Sequence, residues 1–226
     1  MQPRFHETGW FHVLVAVGAI GFFAGAVMFR MRQLRVRHVE MERLVAQRTE
    51  ELRQANEHLK QLSFLDAVTG LPNRRRFNEA ADEEWRRARR ANTSLALVIA
   101  DVDAFKRYND QMGHLKGDEC LAAVGAVLGA SIGRAGDLAA RYGGEEFVVL
   151  LPGADREAAL KVAESVRAGI ESLAMPHPTS PVRPVVTVSL GVAACVPSDT
   201  CTLESLIAQA DEAMYLAKRE GRNQVR

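Results

Sequence analysis

The chain has 226 residues, 47 % of them hydrophobic and 25 % charged, with a formal net charge of +1. That length holds one sizeable domain plus an accessory segment, and so even a balance leaves no whole-chain field for nucleic acid, which is not an expected partner. Cys120, Cys195 and Cys201 form an odd set without metal-ligand spacing or a disulfide framework, which suits free thiols in a reducing compartment.

After a short segment at residues 1–9, residues 10–29 carry no charge, and His12 is the polar exception. At about 1.5 Å per residue such a run spans about 30 Å, the thickness of a bilayer core. A secretory signal would have a shorter apolar core and a small-residue cleavage site; a buried core helix is the competing reading. Arg30, Arg32, Arg35 and Arg37 follow the run, whereas Arg4 on the other side is offset by Glu7. The positive-inside rule therefore puts the remainder of the chain in the cytoplasm, with residues 1–9 outside it. Gly21 and Gly25 form a GxxxG pair at which two such helices can touch.

Residues 30–65 read as a coiled-coil signalling helix. Heptad a positions fall on Leu34, Met41, Arg48, Ala55 and Leu62, and d positions on His38, Val45, Leu52 and Leu59. This narrow apolar seam, interrupted by His38 and Arg48, predicts a parallel pair of helices; the alternative is one amphipathic helix lying on its own domain.

Thr69-Gly70-Leu71-Pro72-Asn73 breaks the helix, and Asn73 is suited to cap the next one, whose apolar face is Phe77, Ala81, Trp85 and Ala88. Leu95 to Ala100 predicts a buried strand that runs into Asp101-Val102-Asp103, and acidic residues at a strand end suit a metal site. Gly113-His114 and Gly117-Asp118 lead into a helix with Leu121, Val124 and Leu128 on one face. Leu138 to Tyr142 and Val148 to Leu151 predict two strands joined at Gly143-Gly144, because a tight hairpin needs residues tolerant of positive φ. Glu145 and Glu146 are two adjacent carboxylates at the returning strand. A divalent cation, a proton-transfer task or an ordinary polar hairpin tip each account for them. A helix over residues 155–173, a strand over 185–190 and a helix over 203–220 complete an α/β pattern, a mixed central sheet covered by helices.

Together the motifs resemble the GGDEF family of diguanylate cyclases. They are Asp66-Ala67-Val68-Thr69-Gly70-Leu71-Pro72-Asn73-Arg74-Arg75, Asp101-Val102-Asp103, Asn109-Asp110, Gly113-His114, Gly117-Asp118, Gly143-Gly144-Glu145-Glu146-Phe147 and Gly221-Arg222-Asn223. They follow the family's order and spacing over residues 66–226. The resemblance implies a fold like the palm of nucleotidyl cyclases and polymerases. It implies condensation of two GTP into cyclic di-GMP with release of pyrophosphate, in the cytoplasm at a bacterial inner membrane crossed once. The alternative is a catalytically silent cyclic di-GMP receptor.

The resemblance also implies roles. Two Mg²⁺ ions per active site are held by Asp101, the Val102 carbonyl and Glu145, which is also the candidate base. Strand alternation sends Glu146 to the opposite face unless the turn carries a bulge, so Glu146 is the second catalytic carboxylate. Asn109 and Asp118 read guanine. Lys106, Lys218, Arg222 and the main chain of Phe105 hold the triphosphate; Lys218 and Arg222, four apart near a helix end, reach one face. Arg134 and Asp137, an Arg-x-x-Asp ahead of the hairpin, form the inhibitory product site, or else an ordinary surface turn. Ser165 stands where a further Arg is expected, with Arg167 two residues on, which weakens the expected feedback. Each domain supplies half a catalytic centre, so a homodimer through the coiled coil and the catalytic domain is expected. A sensory module is expected too, either missing from the N-terminus or supplied by a separate partner.

Overall fold

The computed structural model describes residues 64–226 throughout and, before them, individual helical residues between 17 and 54. The chain divides into two units, residues 1–62 and 63–226. In the first unit, side chains at helical spacing join His38 to Glu42, and ion pairs join Arg48 to Glu51 and Arg53 to Glu50. Leu34, Met41 and Val45, three of the expected seam positions, are 48, 61 and 58 % exposed. Leu52, Ala55, Leu59 and Leu62 lie outside the described residues, as does most of the expected span over 10–29. Among the described residues, no helix is long and apolar enough to cross a membrane.

In the second unit, helix α1 (Arg74–Ala91) starts where the Asn73 side chain accepts the Arg76 N–H and ends at Asn92 in the left-handed region. Strand β1 (Leu95–Val102) follows, then α2 (Phe105–Met112) and α3 (His114–Ala130), separated by Gly113 at φ +84°. Strands β2 (Leu138–Gly143) and β3 (Glu146–Pro152) form the hairpin. Helix α4 (Arg156–Ser172) is capped by Asp155, and β4 (Val188–Cys195) leads to α5 (Leu203–Arg219), capped by Thr202.

The strand order is β2-β3-β1-β4 and every pairing of named strands is antiparallel. The expected mixture of directions is confined to two isolated parallel bridges, Asn73 with Arg141 and Leu190 with Val225. Antiparallel neighbours need no crossover helix between them, so helices collect on the faces. All eight residues of β1 are buried. Leu95, Leu97 and Ile99 pack with α1 and α5 through Phe77, Leu206, Ala210 and Met214. Ala96, Val98 and Ala100 face Leu121, Val124, Leu128, Val166 and Ile170 of α3 and α4. The period of two along one strand therefore feeds two cores.

Two expectations are corrected. The strand expected at 185–190 begins at Val188 and runs on to Cys195, because β1 pairs with it as far as Leu95. Gly191 makes this possible: a Cβ there would run into Ala210 O and Met214 N of α5. Cys195 and Cys201, expected as free thiols, are joined as a disulfide, since the end of β4 and the approach to α5 fold back on each other. Cys120 is free, and burial pushes its thiol up to about 12.

Candidate active site at the end of the central strand

Strand β1 delivers Asp101 and Val102 to the edge of the sheet, still largely buried. Directly opposed residues of an antiparallel pair share a face, and Asp101 stands opposite Glu146. Glu145 occupies the turn after Gly144, whose φ is +53°, and its carbonyl accepts the Val102 N–H at 3.3 Å. A bulge displaces the β2–β3 register between Arg141 and Gly143 and leaves the β1–β3 pairing unbroken. Glu146, ranked second on sequence, is thus the residue in register with Asp101, while Glu145 is tied to the strand end by its main chain.

Lys218 of α5 reaches Asp101 Oδ2 at 2.7 Å. Even so, burial raises the Asp101 carboxyl to about 6; the Lys218 hydrogen bond and charge oppose that rise, and the charges of Glu145 and Glu146 add to it. The site concentrates more negative charge than one lysine compensates, and its donors are hard oxygens, so a divalent cation such as Mg²⁺ fits it chemically. Among the described residues no three His, Cys, Asp or Glu side chains already form a cage. The Val102 carbonyl would have to complete the donor set.

Helices α2 and α3 bring Asn109 against Gly117, the residue before Asp118. Asn109 Oδ1 is buried without a hydrogen-bond partner. It lies where a Cβ on Gly117 would be, so only glycine at that position admits the amide. A buried acceptor left open is costly unless a ligand satisfies it. Asp118 follows Gly117 on α3 and is exposed. Helix α2 begins without a side-chain cap after Ala104 at φ +56°, so the first N–H groups, those of Phe105 and Lys106 among them, are free to meet an anion. His177 Nε2 lies 3.3 Å from Ala104 O, and its ring meets Tyr108 edge-on at 5.2 Å, which steadies this start. The Phe105 ring is core and stacks on Tyr108; the Lys106 side chain is exposed.

Arg222 departs from expectation. Helix α5 ends at Arg219, and Arg222 sits beyond it at φ +64°, its N–H bonded to Ala217 O. Helical four-residue spacing therefore does not relate it to Lys218; a left-handed turn does.

The model of the diguanylate cyclase GGDEF domain matches residues 63–224. The chain belongs to the GGDEF family. It is 38 % identical over 169 residues to the diguanylate cyclase DgcP of Pseudomonas aeruginosa, covering 75 % of this chain and 24 % of that protein. The chain thus spans about a quarter of that relative's length. The crystal structure of the coiled coil and GGDEF domain of DgcB from Caulobacter crescentus in complex with c-di-GMP matches with a TM-score of 0.66 and 32 % identity, over 82 % of this chain and 97 % of that one. The diguanylate cyclase SiaD from P. aeruginosa, solved in complex with its activator SiaC, matches with a TM-score of 0.65 and 32 % identity, over 95 % and 81 %.

Within this GGDEF domain, one clamp escaped the sequence reading. Arg141 donates through Nε and Nη2 to Gly144 O at 2.9 and 2.7 Å, and through Nη1 to Asp66 at 3.0 Å. Burial pushes the Asp66 carboxyl up, but hydrogen bonds from Thr69 and Arg141, with the Arg141 charge, outweigh it and hold the group below its usual range. Asp66 was legible as a motif residue; that it anchors the GGDEF turn through Arg141 was not. Arg134 and Asp137 close a turn on each other, with the Arg134 N–H on Asp137 Oδ2 and the Asp137 N–H on Arg134 O. They border a cavity of about 130 Å³ together with Leu151, Ala158 and Val162. Arg167 is not part of it, being held by Glu164, Glu171 and Asn223.

Proposed function

We propose that this GGDEF domain is a diguanylate cyclase that condenses two GTP into cyclic di-GMP and releases pyrophosphate. One observation carries the reading: the register that sets Glu146 opposite buried Asp101, whose carboxyl also feels the charge of Glu145 in the adjoining turn.

In this reading Asp101, Glu145 and the Val102 carbonyl hold Mg²⁺, two ions per active site. Bound there, the metal supplies a lowered pKa for the ribose 3′-OH and neutralises charge on the phosphates. The 3′-oxygen attacks the α-phosphorus in line, the bond to the departing pyrophosphate breaks, and the hydroxyl proton passes to Glu145, with Glu146 beside it. Asn109 and Asp118 accept from guanine N–H groups; the unpartnered Asn109 oxygen supports this role. Lys106, Arg222 and the main chain of Phe105 grip the triphosphate. Lys218, paired with Asp101 in the free protein, turns to the phosphates as the site fills.

Because each domain carries half a catalytic centre, the active species is a homodimer, joined through the residue 30–65 coiled coil and the domain of residues 66–226. The exposed seam residues Leu34, Met41 and Val45 support that pairing. Residues 10–29 anchor the chain as a single span in a bacterial inner membrane, with the catalytic domain in the cytoplasm. Input comes from a sensory module or a separate partner, as the SiaD complex with its activator illustrates for that protein. Arg134 and Asp137 form a product-inhibition site whose tightness is in question, because Ser165 stands in sequence where the family resemblance implies a further Arg and Arg167 is engaged elsewhere.

The test is to incubate the full chain in detergent micelles with GTP and Mg²⁺ and to follow cyclic di-GMP and pyrophosphate by chromatography. Both products are expected in proportion. Glu145→Gln should fold normally and lose turnover by on the order of a thousandfold, the several kcal/mol a metal-ligating carboxylate is worth. Cyclic di-GMP binding without synthesis would identify a silent receptor instead.

A further inference from the structure

The main chain around Arg222 is held on both sides of the turn that carries it. Gly221, Arg222 and Asn223 lie in succession at φ +121°, +64° and +45°. Two of these are L-residues in the left-handed region, a conformation that persists only where the surroundings impose it. Before the turn, the Arg222 N–H is tied to Ala217 O. After it, the chain runs alongside β4, with the Leu190 N–H on Gln224 O and the Val192 N–H on Arg226 O.

At the centre stands Asp103, 1 % exposed. Its carboxylate accepts from Ser189 Oγ at 2.6 Å, Thr187 Oγ1 at 2.8 Å and the Asn223 N–H at 3.1 Å. A buried carboxylate that accepts three hydrogen bonds is a fixed post. The Asn223 side chain continues the chain of bonds outward. Its Oδ1 accepts from Arg167 Nη1 at 2.9 Å, and its Nδ2 donates to Glu171 Oε1 at 3.1 Å. Arg167 is itself held by Glu171 at 2.6 Å and by Glu164. Asn223 is therefore bonded through its main chain to the end of β1 and through its side chain to α4, on either side of the turn that carries Arg222.

We propose that Asp103 and Asn223, backed by Arg167, are positioning residues that pre-set Arg222 for the nucleotide's phosphates. The second acid of Asp101-Val102-Asp103 is a strut for a phosphate contact. The inference rests on the reading of Arg222 as that contact. Its consequence is that loss of the strut weakens phosphate binding without touching the carboxylates that do the chemistry, because the guanidinium must then be ordered anew each time a nucleotide binds.

The test uses the full chain and four variants: Arg222→Met, Asn223→Gly, their combination, and Arg167→Met. Glycine at 223 tolerates the left-handed backbone and retains the N–H to Asp103, and it deletes the outward side-chain bonds. The readouts are KM for GTP, kcat, and Kd for pyrophosphate by calorimetry. Asn223→Gly should raise KM and the pyrophosphate Kd together by on the order of tenfold, with kcat within about a factor of two. Arg167→Met, which leaves residue 223 itself unaltered, should move the same two constants in the same direction. In the Arg222→Met background, Asn223→Gly should add nothing, since its effect passes through Arg222. An effective Arg222→Met beside silent Asn223→Gly and Arg167→Met would overturn the strut alone. Additive effects in the double variant would overturn it as well. A silent Arg222→Met would remove the phosphate reading and the strut with it.

Discussion

Asp101 carries the sharpest conflict in the molecule, a carboxylate that burial and two glutamates push toward its neutral form and a single lysine holds charged. Its pKa rises from 3.8 to about 6 on folding. A raised folded-state value means that the native protein binds more protons than the unfolded chain between those limits. The contribution is fully present below about 3.8 and is lost as pH rises through about 6. In metal-free protein, Asp101→Asn should therefore gain thermal stability relative to wild type as pH goes from 4 to 7, read from melting curves at half-unit steps. A constant difference across that range would remove the conflict. Arg141 is a second decisive residue, because it closes the turn onto Asp66. Arg141→Met should cost about 2 kcal/mol, the scale of a partly buried charged hydrogen-bond set, in urea unfolding. Turnover should fall further than stability explains, since the Glu145 carbonyl and carboxylate drift with Gly144.

At the scale of elements, the α2–α3 pair is what makes a guanine site out of two unremarkable residues. Gly113 breaks the helix so that α3 folds back on α2, and Gly117 lets the Asn109 amide occupy the gap. The atom in the way of a Cβ at 117 is the end of a side chain rather than backbone, so Gly117→Ala should keep the fold and push Asn109 aside. The expected result is a KM for GTP raised by on the order of tenfold and a reduced preference over ATP, as follows when a site loses a buried polar reader. Unchanged discrimination in competition assays would mean that Asn109 does not read the base.

For the whole molecule, the proposal makes rate depend on how often two domains face each other. Met41 and Val45, at a and d positions of the expected seam, are well exposed in the single chain. Replacing both with Glu removes two apolar contacts worth about 1.5–3 kcal/mol each on burial and adds like-charge repulsion. Specific activity of the full chain should then fall steeply with dilution, whereas wild type holds its activity to lower concentration. Light scattering gives the mass of each species alongside. A monomeric double variant with undiminished activity per domain would sever the coil from catalysis.

What the sequence by itself determined is the local and the periodic. The Asn73 cap, the hairpin at Gly143-Gly144 and the apolar faces of α1 and α3 are written in neighbouring residues, because capping, positive φ and helical period are short-range physics. The motif string likewise located Asp101, Asn109, Asp118 and the Glu145-Glu146 pair. What only the tertiary structure decided is which of these meet. That Glu146 is in register with Asp101 depends on how β1 and β3 pair, and a one-residue slip would have exchanged the two glutamates. Arg167 turns to Asn223 and not to the cavity beside Arg134, and Arg222 is related to Lys218 by a left-handed turn and not by helical spacing. Cys195 finds Cys201 because a strand ends where the next helix begins. Asp103, in sequence an equal partner of Asp101, becomes a buried post because Thr187, Ser189 and Asn223, more than eighty residues away, converge on it. Hydrogen-bond partners at such separation are chosen by the packing of the sheet and helices between them, and no local pattern encodes that choice.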